Sequence, residues 1–259
     1  MSDLSNMVWM EWRKALRSRM PLWTSLASLF MPLGIAFLIF VSRNPEISKK
    51  LGLISAKANL LAYAGTDWPA YLGMFGQLIA AGGFILFVFA ISWTFGREFA
   101  DGTLKDLLAV PVRRSNIILA KFIVVAVWSV AMTVVILTAG LVMGALIQLP
   151  GGSIGVILKG SLISTMAACL AIVVVTPFAF FACAGRGYLL PVGVAIVTLM
   201  LANLVAIIGW AEYYPWAVPG LYAMGKSPLP AASYWLALFT GLAGMLGTWL
   251  WLKYADQSR

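Results

Sequence analysis

FGREFADGTLKDLLAVPVRRS, residues 95–115, decides how the rest of the chain is read. Membrane-length apolar sequence precedes and follows it, yet this stretch holds Arg97, Glu98, Asp101, Lys105, Asp106, Arg113 and Arg114. Gly102-Thr103 offers a turn and then a helix cap, after which Leu104, Leu107 and Leu108 fall on one face of a short helix. Pro111 then ends or bends that helix. A charged helical connector of this kind is a handle for something soluble. Its leucine face would enter a groove on the partner, with Arg97, Lys105 and Asp106 fixing register around it. The competing reading is a solvated loop whose cations only enforce topology.

Outside the connector, apolar sequence dominates. Of 259 residues, 62% are hydrophobic and only 10% charged, and the mean hydropathy is +0.94. A soluble globular domain carries roughly 25% charged residues, so the composition is that of an integral membrane protein. Crossing the hydrocarbon core takes about 20 apolar residues. Six stretches qualify, at about 22–41, 71–95, 117–147, 157–181, 189–209 and 232–252. The third exceeds the need, which predicts tilt or projection beyond the bilayer. Continuous apolar runs without a ten-residue alternation exclude a β-barrel. The longest hydrophilic stretch, roughly 30 residues, is too short to fold alone. The expected fold is all-α: one polytopic domain over residues 1–259 with six transmembrane helices.

Lys and Arg give the orientation. With the N-terminus inside, 12 of the 18 lie on the cytoplasmic side and six outside, four of these in the 42–70 loop. Both termini are therefore expected in the cytoplasm. The net charge of +9 belongs to this flanking pattern and implies no nucleic-acid partner. The first apolar run is longer than the 7–15 residues of a cleaved secretion signal, which predicts an uncleaved signal-anchor. Before it, at about 7–20, Trp9, Trp12 and Leu16 recur at helical spacing while Glu11, Arg13, Lys14 and Arg17 take other positions. A helix so divided lies in the membrane interface.

Reacting groups are missing. Gly151-Gly152-Ser153-Ile154-Gly155 matches G-x-S-x-G, but a nucleophile elbow needs a strand–turn–helix setting and a base, and the chain has no His. The match reads as a turn between spans three and four. An intramembrane serine hydrolase with Lys121 or Lys159 as base is the remaining enzyme reading, with both lysines placed at span ends. No G-x-x-x-x-G-K-[ST] occurs, so ATP would be bound elsewhere. Cys169 and Cys183 share one segment and suggest neither a disulfide framework nor a metal cluster. No Asp or Glu lies mid-span, which disfavours a proton or sodium relay. Gln77, Thr133 and Asn203 are the candidates for a polar substrate path, with helix packing as the other explanation. Gly140-x-x-x-Gly144 and the Gly241, Gly244, Gly247 stripe predict close helix approach, within the chain or to a second copy.

Taken together, the connector, the N-terminal helix and the span count resemble the ABC type-2 permeases, the membrane subunits of two-component ABC exporters. That family carries, after span two, an acidic residue followed by Gly-Thr, a Leu pair, a Pro and an Arg, forming the cytoplasmic coupling helix. Glu98, Gly102-Thr103, Leu107-Leu108, Pro111 and Arg114 stand in that order, and Lys121 opens span three. Tyr213, Tyr214, Pro215, Trp216 and Pro219 resemble the family's extracytoplasmic segment that dips back into the bilayer.

The resemblance implies an ATP-driven exporter in a bacterial inner membrane. Two permease chains, identical or paralogous, would pair with two copies of a separate ATPase subunit. ATP and Mg would be bound by that partner, leaving this chain without a cofactor or catalytic residue. Arg97, Glu98, Asp101, Gly102, Thr103, Leu104, Lys105, Leu107, Leu108, Pro111 and Arg114 would couple the two, so that Glu98→Ala or Glu98→Lys lowers transport and permease-stimulated ATP hydrolysis together while expression and insertion stay intact. The apolar interior favours an amphiphilic substrate: a drug, antibiotic, peptide or lipid. The alternative from another class is a non-transporting scaffold or assembly factor that recruits a soluble partner through the same loop.

Overall fold

The structure is a computed structural model that describes residues 3–43, 67–109, 111–225 and 228–254. The described residues are helical throughout, without strands. Six helical stretches are long and apolar enough to cross a membrane: Met20–Val41, Trp68–Ala100, Arg114–Leu146, Ile154–Ala184, Leu189–Ile208 and Ala231–Tyr254. Helix α1 (Asp3–Arg17) breaks at Ser18 and Arg19 before α2 (Met20–Arg43), which carries the first span. The second span is α3 (Trp68–Leu78), one π turn (Ile79–Gly83) and α4 (Phe84–Ala100). The connector holds α5 (Leu104–Ala109). The third span, α6 (Arg114–Leu146), has 33 residues, about 50 Å of helix, and extends beyond a bilayer core as its apolar length predicts.

Span four is broken. Helix α7 (Ile154–Val174) stops and α8 (Pro177–Ala184) resumes, because Pro177 has no N–H for the Val173 carbonyl. The freed acceptors are still served. The Thr176 hydroxyl donates to Val173 O at 3.0 Å and to Gly241 O at 2.7 Å, while Trp216 Nε1 donates to Val174 O at 2.8 Å. That is the condition on which a membrane helix tolerates a break.

Helix α9 (Leu189–Ile208) forms span five. A 3₁₀ turn (Ala211–Tyr213) and the short α10 (Val218–Met224) follow, then α11 (Ala231–Tyr254) as span six. The aromatic segment 213–219 folds back into the bundle. Tyr214 OH donates to Thr198 O at 3.2 Å, ten residues before the end of α9, or about 15 Å along it. Val218 and Pro219 are buried, and α10 packs on α3 and α7. Ser153, the centre of the G-x-S-x-G match, caps α7 by accepting the Val156 N–H at 3.3 Å.

The glycines are used inside the chain. A methyl at Gly140 would sit 2.2 Å from the Phe75 ring, and Tyr71 OH donates to Gly140 O at 2.7 Å. At Gly244 an added Cβ would meet the Pro177 backbone nitrogen at 2.3 Å, whereas Gly247 has only Phe180 at 4.0 Å. Gly244→Ala is therefore expected to lower stability by about 2 kcal/mol or more, because backbone and not a side-chain tip must move. Gly247→Ala is expected to be neutral or slightly stabilising, since Ala is the better helix former. Thermal midpoints of the purified variants check the contrast, and equal midpoints would contradict the packing described.

Candidate functional site

The chemistry-bearing side chains gather at one end of the bundle, beneath the connector. Glu98 lies in the last turn of α4 and Lys121 two turns into α6; α1 runs across both. Lys121 Nζ is 2.8 Å from Glu98 Oε1 and 3.1 Å from Glu11 Oε2. Lys14 Nζ is 2.8 Å from Glu11 Oε1 and 3.2 Å from Glu98 Oε1. Each acid meets both bases, so four charges close an alternating ring with no net charge. Lys121 also donates to the Thr94 carbonyl at 2.8 Å. Glu11, Glu98 and Lys121 are 4%, 4% and 3% exposed. Groups this buried persist as ions only when paired and hydrogen-bonded.

This ring revises the expectation for α1. The face turned to the bundle is Met7, Glu11 and Ala15, an i, i+4 stripe; Glu11, expected among the polar positions, is buried because Lys121 and Lys14 receive it. Trp9 and Leu16 are exposed, as are Arg13 and Arg17, and Trp12 is half-buried. Lys121, assigned to a span end, is enclosed within the third span. Glu98 touches no surface a partner could reach.

Leu104 and Leu107 of the connector also face inward. Gly102 takes the left-handed conformation at φ +70°, a turn that suits Gly, and the Leu107 N–H bonds Thr103 O at 3.1 Å. Leu107 is buried with Met7, Ile117 and Ala120. Leu104 and Leu107 close a small cleft with Phe99, Ile118 and Leu252. Leu107 of α5 thus packs on its own bundle, because α1 and α6 bring Met7, Ile117 and Ala120 beneath it. Asp101, Gly102, Thr103, Asp106 and Pro111 remain exposed. Of Lys105 and Leu108 only the backbone lies within the described residues. Arg97 stacks over Trp93 at 5.0 Å and approaches Asp101 at 3.4 Å. Arg114 Nη1 donates to the carbonyls of Leu252 at 2.9 Å and Lys253 at 3.4 Å, capping span six where orphan carbonyls favour a cation.

The three path candidates are not brought into one cavity. Thr133 is buried and bonds Ser129 O at 2.9 Å within its own helix, so it packs. Gln77 and Asn203 are exposed on spans two and five, and Asn203 Nδ2 donates to Leu199 O at 2.9 Å. The cations Arg43, Lys49, Lys50, Lys57, Lys226 and Arg259 used in the orientation count have no described side chains.

A charge ring under a turn-and-helix connector, in a six-span bundle, is the arrangement against which the comparisons are set. Residues 7–202 match the family described as ABC-2 family transporter protein. The chain belongs to that family. It is also 26% identical, over 169 residues, to the bacitracin transport permease protein BCRB of Bacillus licheniformis; the match covers 64% of this chain and 81% of that protein. The matched stretch of the ABC-2 family takes in most of α1, the connector, the first four spans and most of the fifth. The chain is accordingly a membrane subunit of a transporter.

Proposed function

We propose that this ABC-2 chain is the permease of an ATP-driven exporter, worked from the cytosolic side through the 97–114 connector. Two permease chains, identical or paralogous, pair with two copies of a separate ATPase subunit that binds ATP and Mg, and the chain's own termini lie in the cytosol. The observation that supports this most is the closed ring of Glu11, Lys14, Glu98 and Lys121. It ties α1, α4 and α6 together just below α5. A push on the connector is then carried to spans two and three and the N-terminal helix as one body, since separating the helices takes from the buried ions one or both of their partners.

Export requires that two conformations of the bundle differ in affinity for the cargo, with the nucleotide cycle of the partner shifting their populations. The apolar, aromatic interior suits an amphiphile. Bacitracin is the first compound to try, because the relative from Bacillus licheniformis is named for its transport.

The chain, purified with a candidate ABC ATPase subunit, is expected to retain that subunit in a nucleotide-dependent way and to raise its hydrolysis when an amphiphilic cargo is added. Retention without any stimulated hydrolysis or transport would favour a recruiting scaffold. No retention at all would remove the coupling reading.

A further inference from the structure

Beside the charge ring, and open where the ring is closed, a cavity of about 710 Å³ lies between α1, the end of α4 and Tyr188. Its wall carries Arg13, Arg17 and Arg97 alongside Trp9, Trp93 and Tyr188, with Asp101 as the acid on its lining. Lys14 also lines it but is turned to Glu11 and Glu98. Arg97 shares its charge with Asp101 at 3.4 Å. Arg13 and Arg17, both exposed, have no carboxylate in salt-bridge range among the described residues. Among the described residues, the cavity therefore holds uncompensated guanidinium charge.

Two of the guanidinium groups are oriented by rings: Arg13 lies over Trp9 at 5.9 Å and Arg97 over Trp93 at 5.0 Å. A stacked, planar fork of donors matches the oxygens of a phosphate and loses little freedom on binding it. The depth of the cavity identifies what carries the phosphate. Ser18, at the joint before the first span begins at Met20, lines it, and so does Trp93, seven residues inside span two from Ala100. It thus runs from Asp101 at the connector to about 10 Å along the span. Trp and Tyr at that level are the side chains that sit at the boundary of water and lipid. An acidic protein surface could meet the arginines but not follow the cavity down beside the span.

We infer that this cavity binds the phosphate headgroup of an anionic lipid from the leaflet on the connector's side, with Arg13 and Arg17 as the principal ligands and Arg97 completing the site. The inference stands apart from the export reading, because it needs neither a second permease chain nor an ATPase.

Thermal midpoints of the purified full chain in neutral detergent, titrated with dihexanoyl phosphatidylglycerol, test it. Wild type is expected to be protected at concentrations at least roughly tenfold below those needed with dihexanoyl phosphatidylcholine, which offers the same phosphate oxygens but whose choline cation offsets the charge and repels the guanidinium groups. Arg13→Gln/Arg17→Gln should erase that preference, and Arg13→Lys/Arg17→Lys should keep only part of it, since charge survives but the fork does not. Both residues are exposed, so the unliganded midpoint should not move; a variant that does fall is replaced by Arg17→Gln alone, read in the same way. Equal protection by the two lipids, or an unchanged preference in the Gln variant, would overturn the assignment. Protection by inorganic phosphate as strong as by phosphatidylglycerol would also overturn it, because the ligand would then be a free anion. So would loss of a co-purified ATPase from the Gln variant with lipid preference intact, which would make the cavity a protein-docking surface.

Discussion

Glu98→Ala is expected to destabilise the chain by about 3–5 kcal/mol, and Lys121→Met by a similar amount, because each leaves a buried charge of the ring without its strongest partner. Removing Glu98 exposes Lys121 and Lys14 to each other with only Glu11 between them. Removing Lys121 leaves two carboxylates sharing Lys14. The double variant Glu98→Leu/Lys121→Met should cost far less than the sum, since the remaining Glu11–Lys14 pair at 2.8 Å is neutral and the vacated space is apolar, lined by Phe95, Ile117, Ile118 and Leu107. Replacing a whole buried pair by hydrophobic residues is often neutral. Glu98→Lys should be the worst single change, placing three cations around one acid. The double-mutant cycle is read from thermal or denaturant midpoints of the purified chains. Additive costs would mean that the two groups do not interact as the 2.8 Å contact implies. Permease-dependent ATP hydrolysis separates structure from coupling: the double variant should regain stability while hydrolysis stays depressed, because the Lys14–Glu98 link between α1 and α4 is gone. Full recovery of hydrolysis would make the ring a purely structural device. Loss of transport at Glu98, expected from sequence with insertion intact, thus acquires a stability cost that sequence alone did not indicate.

The spans were legible because hydropathy is a sum over 20 residues and survives local exceptions. The break at Pro177 and the π turn at Ile79–Gly83 leave the runs intact. The partners of single charges were not legible. Glu11 finds Lys121 across 110 positions, and Arg114 finds the Leu252 carbonyl across 138; no local periodicity encodes such pairings. One signal was available. Lys121 lies inside an apolar run, and a cation there needs a carboxylate at the same depth. Glu98, at the matching end of the preceding span, and Glu11, on the amphipathic N-terminal helix, were the acids that could reach it. The leucines of the connector show the opposite limit. Their spacing reveals an apolar face but not which surface covers it, and for Leu107 that surface is the bundle's own Met7 and Ile117.

The inward turn of Leu104 and Leu107 sets the contact a partner can use, and Asp106 is the residue on which it is expected to depend. Asp106→Arg should leave the thermal midpoint of the chain within about 0.5 kcal/mol of wild type, as exposed substitutions do, while weakening capture of the ATPase subunit by about tenfold or more, because a reversed charge at an interface costs several kcal/mol. Asp101, Gly102 and Thr103 share the exposed surface with Asp106, so Thr103→Arg should act in the same direction. Leu107→Asp is expected to behave in the reverse manner. It buries a carboxylate among Met7, Ile117 and Ala120 and should cost about 3 kcal/mol or more in stability, with ATPase capture lost only as far as the fold is lost. The measurement is equilibrium binding of the ATPase subunit to detergent-solubilised chain, paired with midpoints of the same samples. If Leu107→Asp abolished capture at unchanged midpoint while Asp106→Arg bound normally, the leucine side of α5 would be the docking face and the inward packing described here would not survive in the assembled transporter.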